Sequence, residues 1–282
     1  MDQFDKRVAV ITGGASGIGY ALAERFSKEG MRIVIADIEQ ATLDQAVAKL
    51  RDGGAEVTGV RTDVADLESV RNLAKVAVDT YGGVHLLCNN AGVQVTAPSW
   101  QIPMSEWKWG VGVNLWGVVH GHHVFVPLMM EQNEPCHIVN TASMAGLITA
   151  PMMGCYAVTK HAVVALSEVL AAEMKQFGTQ IGVSVLCPGF VQTALHESDR
   201  NRPESDDADP ITPEMREMLK QSVASLVNGG KQASEIADAV IAGVRSNKVH
   251  ILSHPEMIGM FEKRVERIVS AARSTPPPAP AQ

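Results

Sequence analysis

A short apolar run that breaks into glycines and continues as a helix constrains this 282-residue chain more than any other feature. Val8-Ala9-Val10-Ile11 lies between Lys6-Arg7 and Thr12-Gly13-Gly14-Ala15-Ser16-Gly17-Ile18-Gly19. An unbroken apolar run of this length fits a strand buried on both faces, as parallel sheets require. Residues 20–28 then follow a helical pattern, with Leu22 and Phe26 at i and i+4, and stop at Gly30. Strand, glycine turn and helix N-terminus together form a site for a pyrophosphate, because glycines admit close backbone approach and helix N–H groups face the anion. The spacing is G-x-x-x-G-x-G rather than the more familiar G-x-G-x-x-G.

A second strand, Met31 to Ala36, ends at Asp37, eighteen residues after Gly19. A carboxylate there can accept hydrogen bonds from adenosine ribose hydroxyls and repels a 2′-phosphate. It can also serve as a helix N-cap, since Asp37 and Gln40 have capping-box spacing ahead of Leu43, Val47 and Leu50. The glycine turn at the right distance upstream favours the ribose role. No basic residue lies in the turn or just after Asp37, so the expected cofactor is NAD rather than NADP.

Farther along, Tyr156 and Lys160 stand at i and i+4, with Ser143 thirteen residues before the tyrosine. A helix puts Tyr156 and Lys160 on one face. A cation there favours the phenolate and lowers a phenol pKa that is ordinarily about 10. A serine hydroxyl nearby can hold a substrate oxygen, and the three together can move a proton to or from an alcohol or ketone.

With these motifs in place the chain resembles the short-chain dehydrogenase/reductase family. The likeness rests on Thr12 to Gly19, Asp63-Val64, Asn89-Asn90-Ala91-Gly92, Asn114, Ser143, Tyr156 with Lys160, and Pro188-Gly189-Phe190-Val191-Gln192-Thr193. It runs in order from about Lys6 to Leu252. The resemblance implies a catalytic set of Asn114, Ser143, Tyr156 and Lys160, with Ser143 and Tyr156 also binding substrate. It implies that the dinucleotide meets Gly13, Ser16, Gly17, Ile18 and Gly19 of the turn. It further implies contacts from Asp37, Asp63, Val64, Asn90, Tyr156 and Lys160, and from Pro188, Gly189, Val191 and Thr193 beside the nicotinamide. Asn114 would place a water that relays protons from Lys160. The implied sheet has seven parallel strands in the order 3-2-1-4-5-6-7, a Rossmann-like α/β fold with helices on both faces.

Further strands are expected at 84–88, 137–141, 183–187 and 249–252. Helices are expected at 41–51, 67–81, 105–130, 156–177 and 213–227. The pattern shows no composition break, which predicts a single domain over 1–273. Residues 194–212 are rich in charge and proline, and the stretch 194–230 is expected to act as a substrate lid. Met257 to Ala272 has helical spacing with one apolar face, which should cover the pocket or a neighbouring subunit; 274–282 reads as a disordered tail. A net charge of −7 argues against nucleic acid and anionic membrane partners. No apolar run of spanning length and no leader pattern stand out, so a cytoplasmic protein is expected.

Cys88, Cys136, Cys155 and Cys187 are too scattered for a metal or redox pair, although Cys155 adjoins Tyr156. His120, His122 and His123 lack an acidic partner at ligand spacing, and no metal is expected. Candidate substrate walls are Gln94, Val95, Met144, Ala145, Leu147, Met152, Met153 and Phe190. Their apolar character predicts a bulky secondary alcohol or ketone, aromatic, alicyclic or steroid-like. Val163, Leu166, Val169 and Leu170 give helix 156–177 more apolar surface than one sheet-facing stripe needs, which predicts a homodimer or homotetramer. The competing readings are an NADP-dependent 3-oxoacyl-type reductase and a non-catalytic cofactor-sensing scaffold on the same fold.

Overall fold

The computed structural model describes residue 1, residues 3–207 and residues 210–274. The tail expected over 274–282 lies almost wholly outside them. Seven strands pair in parallel: β1 (Val8–Thr12), β2 (Arg32–Asp37), β3 (Val57–Arg61), β4 (Leu86–Asn89), β5 (Cys136–Thr141), β6 (Ile181–Leu186) and β7 (His250–Ile251). Their order is β3-β2-β1-β4-β5-β6-β7, as expected. Every residue of β1, β4 and β5 is buried, which is why these strands read as continuous apolar runs rather than alternating ones.

Alternate β1 residues serve opposite faces of the sheet. Ala9 and Ile11 join a core with Leu22 and Phe26 of α1 (Gly17–Ser27), Leu43 of α2 (Gln40–Asp52) and Val240 of α8 (Ala233–Arg245). Val8 and Val10 join the other core, with Leu73 of α3 (Leu67–Tyr81), Phe125 of α5 (Gly117–Gln132) and Leu170 of α6 (Gly154–Gln176). Fully burying side chains such as Leu22 and Phe26 stabilises by about 1.5–3 kcal/mol each. The strand order reverses between β1 and β4. The crevice beyond the carboxyl ends of those two strands is where such sheets take ligands.

Two elements depart from the expectation. The stretch expected as one helix over 105–130 is α4 (Met104–Val111), a wide π turn (Gly112–Trp116) and α5. The irregularity coincides with Asn114, whose buried side chain bonds Val93 instead of facing solvent, and with Gly117, where a Cβ would lie 2.8 Å from Val64 Cγ2. Such turns interrupt helices where tertiary contacts outweigh local periodicity. The helix α8 was absent from the expected set. Its signals are Glu235 accepting from the Gln232 N–H at 2.8 Å and the apolar series Ile236, Val240, Ile241 and Val244. Asp37 is not a helix cap, because α2 starts after Glu39.

The helix α6 is long and apolar enough, by length and composition, to cross a membrane. It packs instead against β6 and carries the buried Tyr156 and Lys160. Two further helices, α7 (Pro213–Asn228) and α9 (Ile258–Ser274), lie over the carboxyl edge of the sheet.

Candidate active site

A cavity of about 600 Å³ runs along the carboxyl ends of the strands, from Asp37 past Tyr156 to α7 and α9. Its first half is built from main chain. Gly13 and Gly17 sit at φ of +60° and +53°, conformations that glycine adopts without steric cost. At Gly19 a Cβ would stand 2.0 Å from the Gly13 carbonyl oxygen, so the turn closes only on a bare α-carbon. Ser16 caps α1 by backbone alone, and the first turn of that helix holds no acidic residue. An anion therefore meets free N–H groups and the positive end of the helix dipole.

Asp37 lines this half, with Oδ2 accepting from the Ala15 N–H and Oδ1 from the Glu39 N–H, both at 3.2 Å. Burial raises its carboxyl above the usual range against the opposing pull of those donors. Asn90 ties the turn to the sheet. Its backbone N–H reaches Thr12 Oγ1 at 2.9 Å, its Nδ2 reaches the Thr12 carbonyl at 3.1 Å, and its Oδ1 accepts from Thr141 Oγ1 at 3.2 Å. The cradle fits a dinucleotide: a glycine-lined turn at a helix N-terminus, with a carboxylate at the end of β2.

Ser143, Tyr156 and Lys160 meet in the middle of the cavity. Ser143 stands at the end of β5, where its Oγ accepts from the Ala145 N–H at 3.1 Å and donates to the Pro188 carbonyl at 3.3 Å. The Lys160 Nζ lies 5.6 Å from the Tyr156 ring centroid and donates to the Thr141 carbonyl at 2.8 Å. Burial pushes the Tyr156 phenol up to about 12, with a smaller opposing pull from the Ser143 hydroxyl. Burial also draws the Lys160 ammonium down to about 8. Lys160 was expected to lower the phenol; here burial is the largest influence on Tyr156, and the Ser143 hydroxyl is the group that opposes it. Both groups are buried, and desolvation is the largest influence on each.

Most of the expected cofactor contacts line the cavity: Gly13, Ser16, Gly17, Ile18, Asp37, Asp63 and Val64. Asn90, Pro188, Gly189, Val191 and Thr193 line it as well. Two expected residues do not. Gly19 is spent on closing the turn. Asn114 is only 1% exposed; its Oδ1 accepts from the Val93 N–H at 2.8 Å and its Nδ2 donates to the Val93 carbonyl and Thr159 Oγ1. A Cβ on Gly92 would touch both Asn114 Oδ1 and Lys160 Nζ, at 3.4 and 3.5 Å, so the two side chains flank one glycine.

Of the expected walls, Gln94, Met144, Ala145, Met152, Met153 and Phe190 line the cavity. Val95 and Leu147 turn into neighbouring apolar clusters. Cys155 also packs away from the cavity, beneath Gly110. His120 and His122 bond the Val64 carbonyl and Asn140. Of the four apolar residues named for subunit pairing, Val163 and Leu170 are buried in the chain's own cores and Leu166 packs against one; Val169 is exposed.

Sequence reasoning named 194–230 and the Met257–Ala272 face only as covering stretches and gave none of three sets of contacts within or beside them. Leu219, Val223 and Leu226 of α7, with Met257 in the 3₁₀ turn just before α9 and Met260 in its first turn, form the far apolar wall. The C-terminal helix thus covers its own pocket with its first turn, while Ile268 and Val269 farther along are exposed. His254, 5% exposed, braces the Pro188–Phe190 loop: its Nδ1 accepts from the Gly189 N–H at 2.9 Å and its Nε2 donates to the Phe190 carbonyl at 3.0 Å. The third is the 3₁₀ segment Ala194–Asn201, which follows the cavity and places Arg200 and Asn201 beside Glu39. Sequence distance hid these contacts, since Glu39 and Arg200 are 161 positions apart.

Comparison with known proteins agrees with this geometry. The family model described as short chain dehydrogenase matches residues 7–204. A short-chain dehydrogenase/reductase from Burkholderia phymatum, solved in complex with NAD, superposes with a TM-score of 0.93 at 40% identity, covering 100% of both chains. A CLA biosynthesis dehydrogenase/reductase of Lactiplantibacillus plantarum is 35% identical over 96% of each chain. A C alpha-dehydrogenase of Sphingobium sp. strain SYK-6 is 32% identical over 96% of this chain and 88% of its own length. Glycine turn, Ser143–Tyr156–Lys160 cluster and strand order point the same way as these relatives, and the chain belongs to the short-chain dehydrogenase/reductase family of oxidoreductases.

Proposed function

We propose that this protein is an NAD-dependent oxidoreductase that interconverts a secondary alcohol and its ketone on a bulky apolar substrate. The observation that carries the reading is the position of Tyr156. It stands between a cradle ending in the Asp37 carboxylate and a wall of methionine, leucine and valine. Gly13, Ser16, Gly17 and Ile18 would hold the pyrophosphate, Asp37 the adenosine ribose, and Asp63 with Val64 the adenine. Asn90, Pro188, Gly189, Val191 and Thr193 would border the nicotinamide half. When bound, NAD would supply the hydride acceptor and a positive charge.

Ser143 would hold the substrate oxygen, and Tyr156 would take its proton in oxidation and return it in reduction. A phenol at about 12 needs added positive charge to ionise near neutrality, which ties proton transfer to cofactor occupancy. Lys160, held by the Thr141 carbonyl, would contribute its charge and bond the nicotinamide ribose. Asn114 would act through its neighbours, fixing the Val93 backbone beside Gly92 and Lys160. We read residues 1–273 as one domain in which 194–230 covers the substrate.

Asp37 favours NAD over the NADP-dependent acyl reductase reading. Among the described residues, no cation in the apolar half offers to hold a carboxylate or phosphate; of the two basic side chains lining the cavity there, Lys160 is at the reacting centre and Arg200 is beside Glu39. Four unpaired, buried cysteines suit a reducing cytoplasm. Exposed Trp116, Val158 and Val169 support pairing of subunits through this side of the molecule. A panel of secondary alcohols and ketones, run with NAD(H) and NADP(H) and followed by reduced-nicotinamide absorbance, tests the proposal. Oxidation of aromatic or alicyclic alcohols with NAD is expected. Preferential turnover of small polyols or sugars would overturn the substrate reading.

A further inference from the structure

The segment Ala194–Asn201 is moored on both sides of the cleft, and the two moorings differ in kind. On the substrate side Ser198, 6% exposed, joins Gln94 twice: its Oγ accepts from the Gln94 N–H at 2.9 Å and donates to the Gln94 carbonyl at 3.4 Å. Just beyond it Arg202 pairs with Glu106, a carboxylate 4% exposed that also takes Arg216 of α7 at 2.7 Å. On the cofactor side one carboxylate oxygen does the work. Glu39 Oε1 accepts from Arg200 Nε at 2.9 Å and from Asn201 Nδ2 at 2.6 Å, and Arg200 Nη2 lies 2.7 Å from the same atom. The second guanidinium arm is committed to the strap itself, since Nη1 donates to the Ala194 and Glu197 carbonyls at 3.3 and 3.0 Å. Arg200 therefore bonds both Glu39 and the strap that carries it.

Glu39 is two residues beyond Asp37, and Glu39, Asp37, Arg200 and Asn201 all line the same cavity. We propose that Glu39, through Arg200 and Asn201, latches the 194–201 strap across the adenosine end of the cleft, so that the dinucleotide leaves only when this latch opens. The inference rests on the dinucleotide reading of the cleft. Glu39 is a positioning residue here, acting through the strap.

The two moorings make separable predictions. Opening the latch frees the strap at the cofactor end while Ser198 and Arg202 still hold it at the substrate end. The dissociation rate of NADH should rise, and KM for the alcohol should stay near its wild-type value. Because the Arg200 and Glu39 side chains are 40% and 25% exposed, the pair is open to screening by salt. Added salt should therefore speed NADH release from the wild type and have less effect once the latch is gone.

The test uses the full chain loaded with NADH. Excess NAD is added as chase, and loss of energy transfer from tryptophan to bound NADH is followed in a stopped-flow instrument. Glu39→Gln, Arg200→Ala and the double variant are compared with wild type, after thermal melts show that each is folded. Release faster by about three- to tenfold in each single variant, with no further gain in the double, is the expected result. Single variants within twofold of wild type, or a double variant whose effect is the product of the two, would overturn the latch. A wild type that binds no NADH would defeat the dinucleotide reading instead, which keeps the two failures apart. Ser198→Ala is the control, expected to raise KM and leave NADH release unchanged; faster release in this variant, equal to that of Glu39→Gln, would also contradict a latch located at Glu39.

Discussion

The Asp37 end of the cleft is built from main chain at the ends of buried strands. The Met260 end is built from side chains on helices that no strand pairing holds. In β1 every residue is buried, whereas Val227 is the sole buried residue described in α7, and Met218 and Leu226 of that helix are more than half exposed. Backbone geometry at the first end leaves few ways to be built. Gly19 must lack a Cβ, Gly13 and Gly17 must reach positive φ, and a carboxylate must end β2. The second end tolerates many apolar side chains of similar volume. A fixed half can thus serve a common cofactor while a loosely held half adapts to a particular substrate.

The largest expected effect breaks the rigid half alone. Gly19→Ala places a methyl where the Gly13 carbonyl oxygen and Asn90 Nδ2 already stand, at 2.0 and 2.7 Å. The turn must open, and NADH affinity should fall by at least about 100-fold, the scale of losing a few kcal/mol of backbone hydrogen bonds to phosphate. Titration of tryptophan-sensitised NADH fluorescence measures it. Unchanged affinity would show that the turn does not hold the cofactor.

Lys160, at the joint between the halves, is next. Its folded-state value of about 8 lies below the ordinary 10.5, so between those pH values the unfolded chain binds more protons than the folded one. Wild-type stability relative to Lys160→Met should therefore rise as pH climbs through this window, by about 3 kcal/mol in full, and stay flat below about pH 7. Urea unfolding of both proteins near neutrality and near pH 10 reads the difference. A gap that does not move with pH would mean that Lys160 keeps an ordinary pKa.

Asp37→Ala should narrow an NAD(H) over NADP(H) preference of at least about tenfold in the wild type, as expected of a charge-assisted hydrogen bond that is lost. Dissociation constants for the two cofactors decide it, and a wild type that prefers NADP(H) would show the assignment wrong. The smallest effect belongs to the soft half. Met260→Ala should raise KM for bulky alcohols by about two- to fivefold through lost contact area, with kcat for small alcohols unchanged. An equal loss for all substrates would place Met260 outside the substrate wall.

The same contrast explains what the sequence made legible. Asp37, Asn90, Ser143 and Pro188 each follow a strand that reads as a strand, so parallel topology alone carries them to one edge. Tyr156 and Lys160 are related by helical spacing, which survives folding unchanged. Contacts that depend on tertiary closure did not announce themselves. The π turn at Gly112–Trp116 hides in an unbroken helical pattern, and the contacts that accompany it, to Val93 and Val64, lie outside that segment. Met257 and Met260 read as one apolar face with no indication of what it covers. The surroundings of Tyr156 are illegible for a similar reason: the i+4 spacing shows that a lysine is near, but not that both groups are buried. The helix α8 is a different case, because its cap and apolar series are both written in the chain itself.

The central claim is that a proton leaves or enters the substrate through Tyr156 while the cofactor sits in the rigid half. Tyr156→Phe tests it most directly, because the ring remains and only the hydroxyl is lost. Single-turnover oxidation of the best alcohol from the panel, with NAD pre-bound, should slow by at least about 100-fold, as losing a general acid–base group does. The NADH dissociation constant of the folded variant should stay within about twofold of the wild type. A Tyr156→Phe protein that turns over at near wild-type rate would contradict the account.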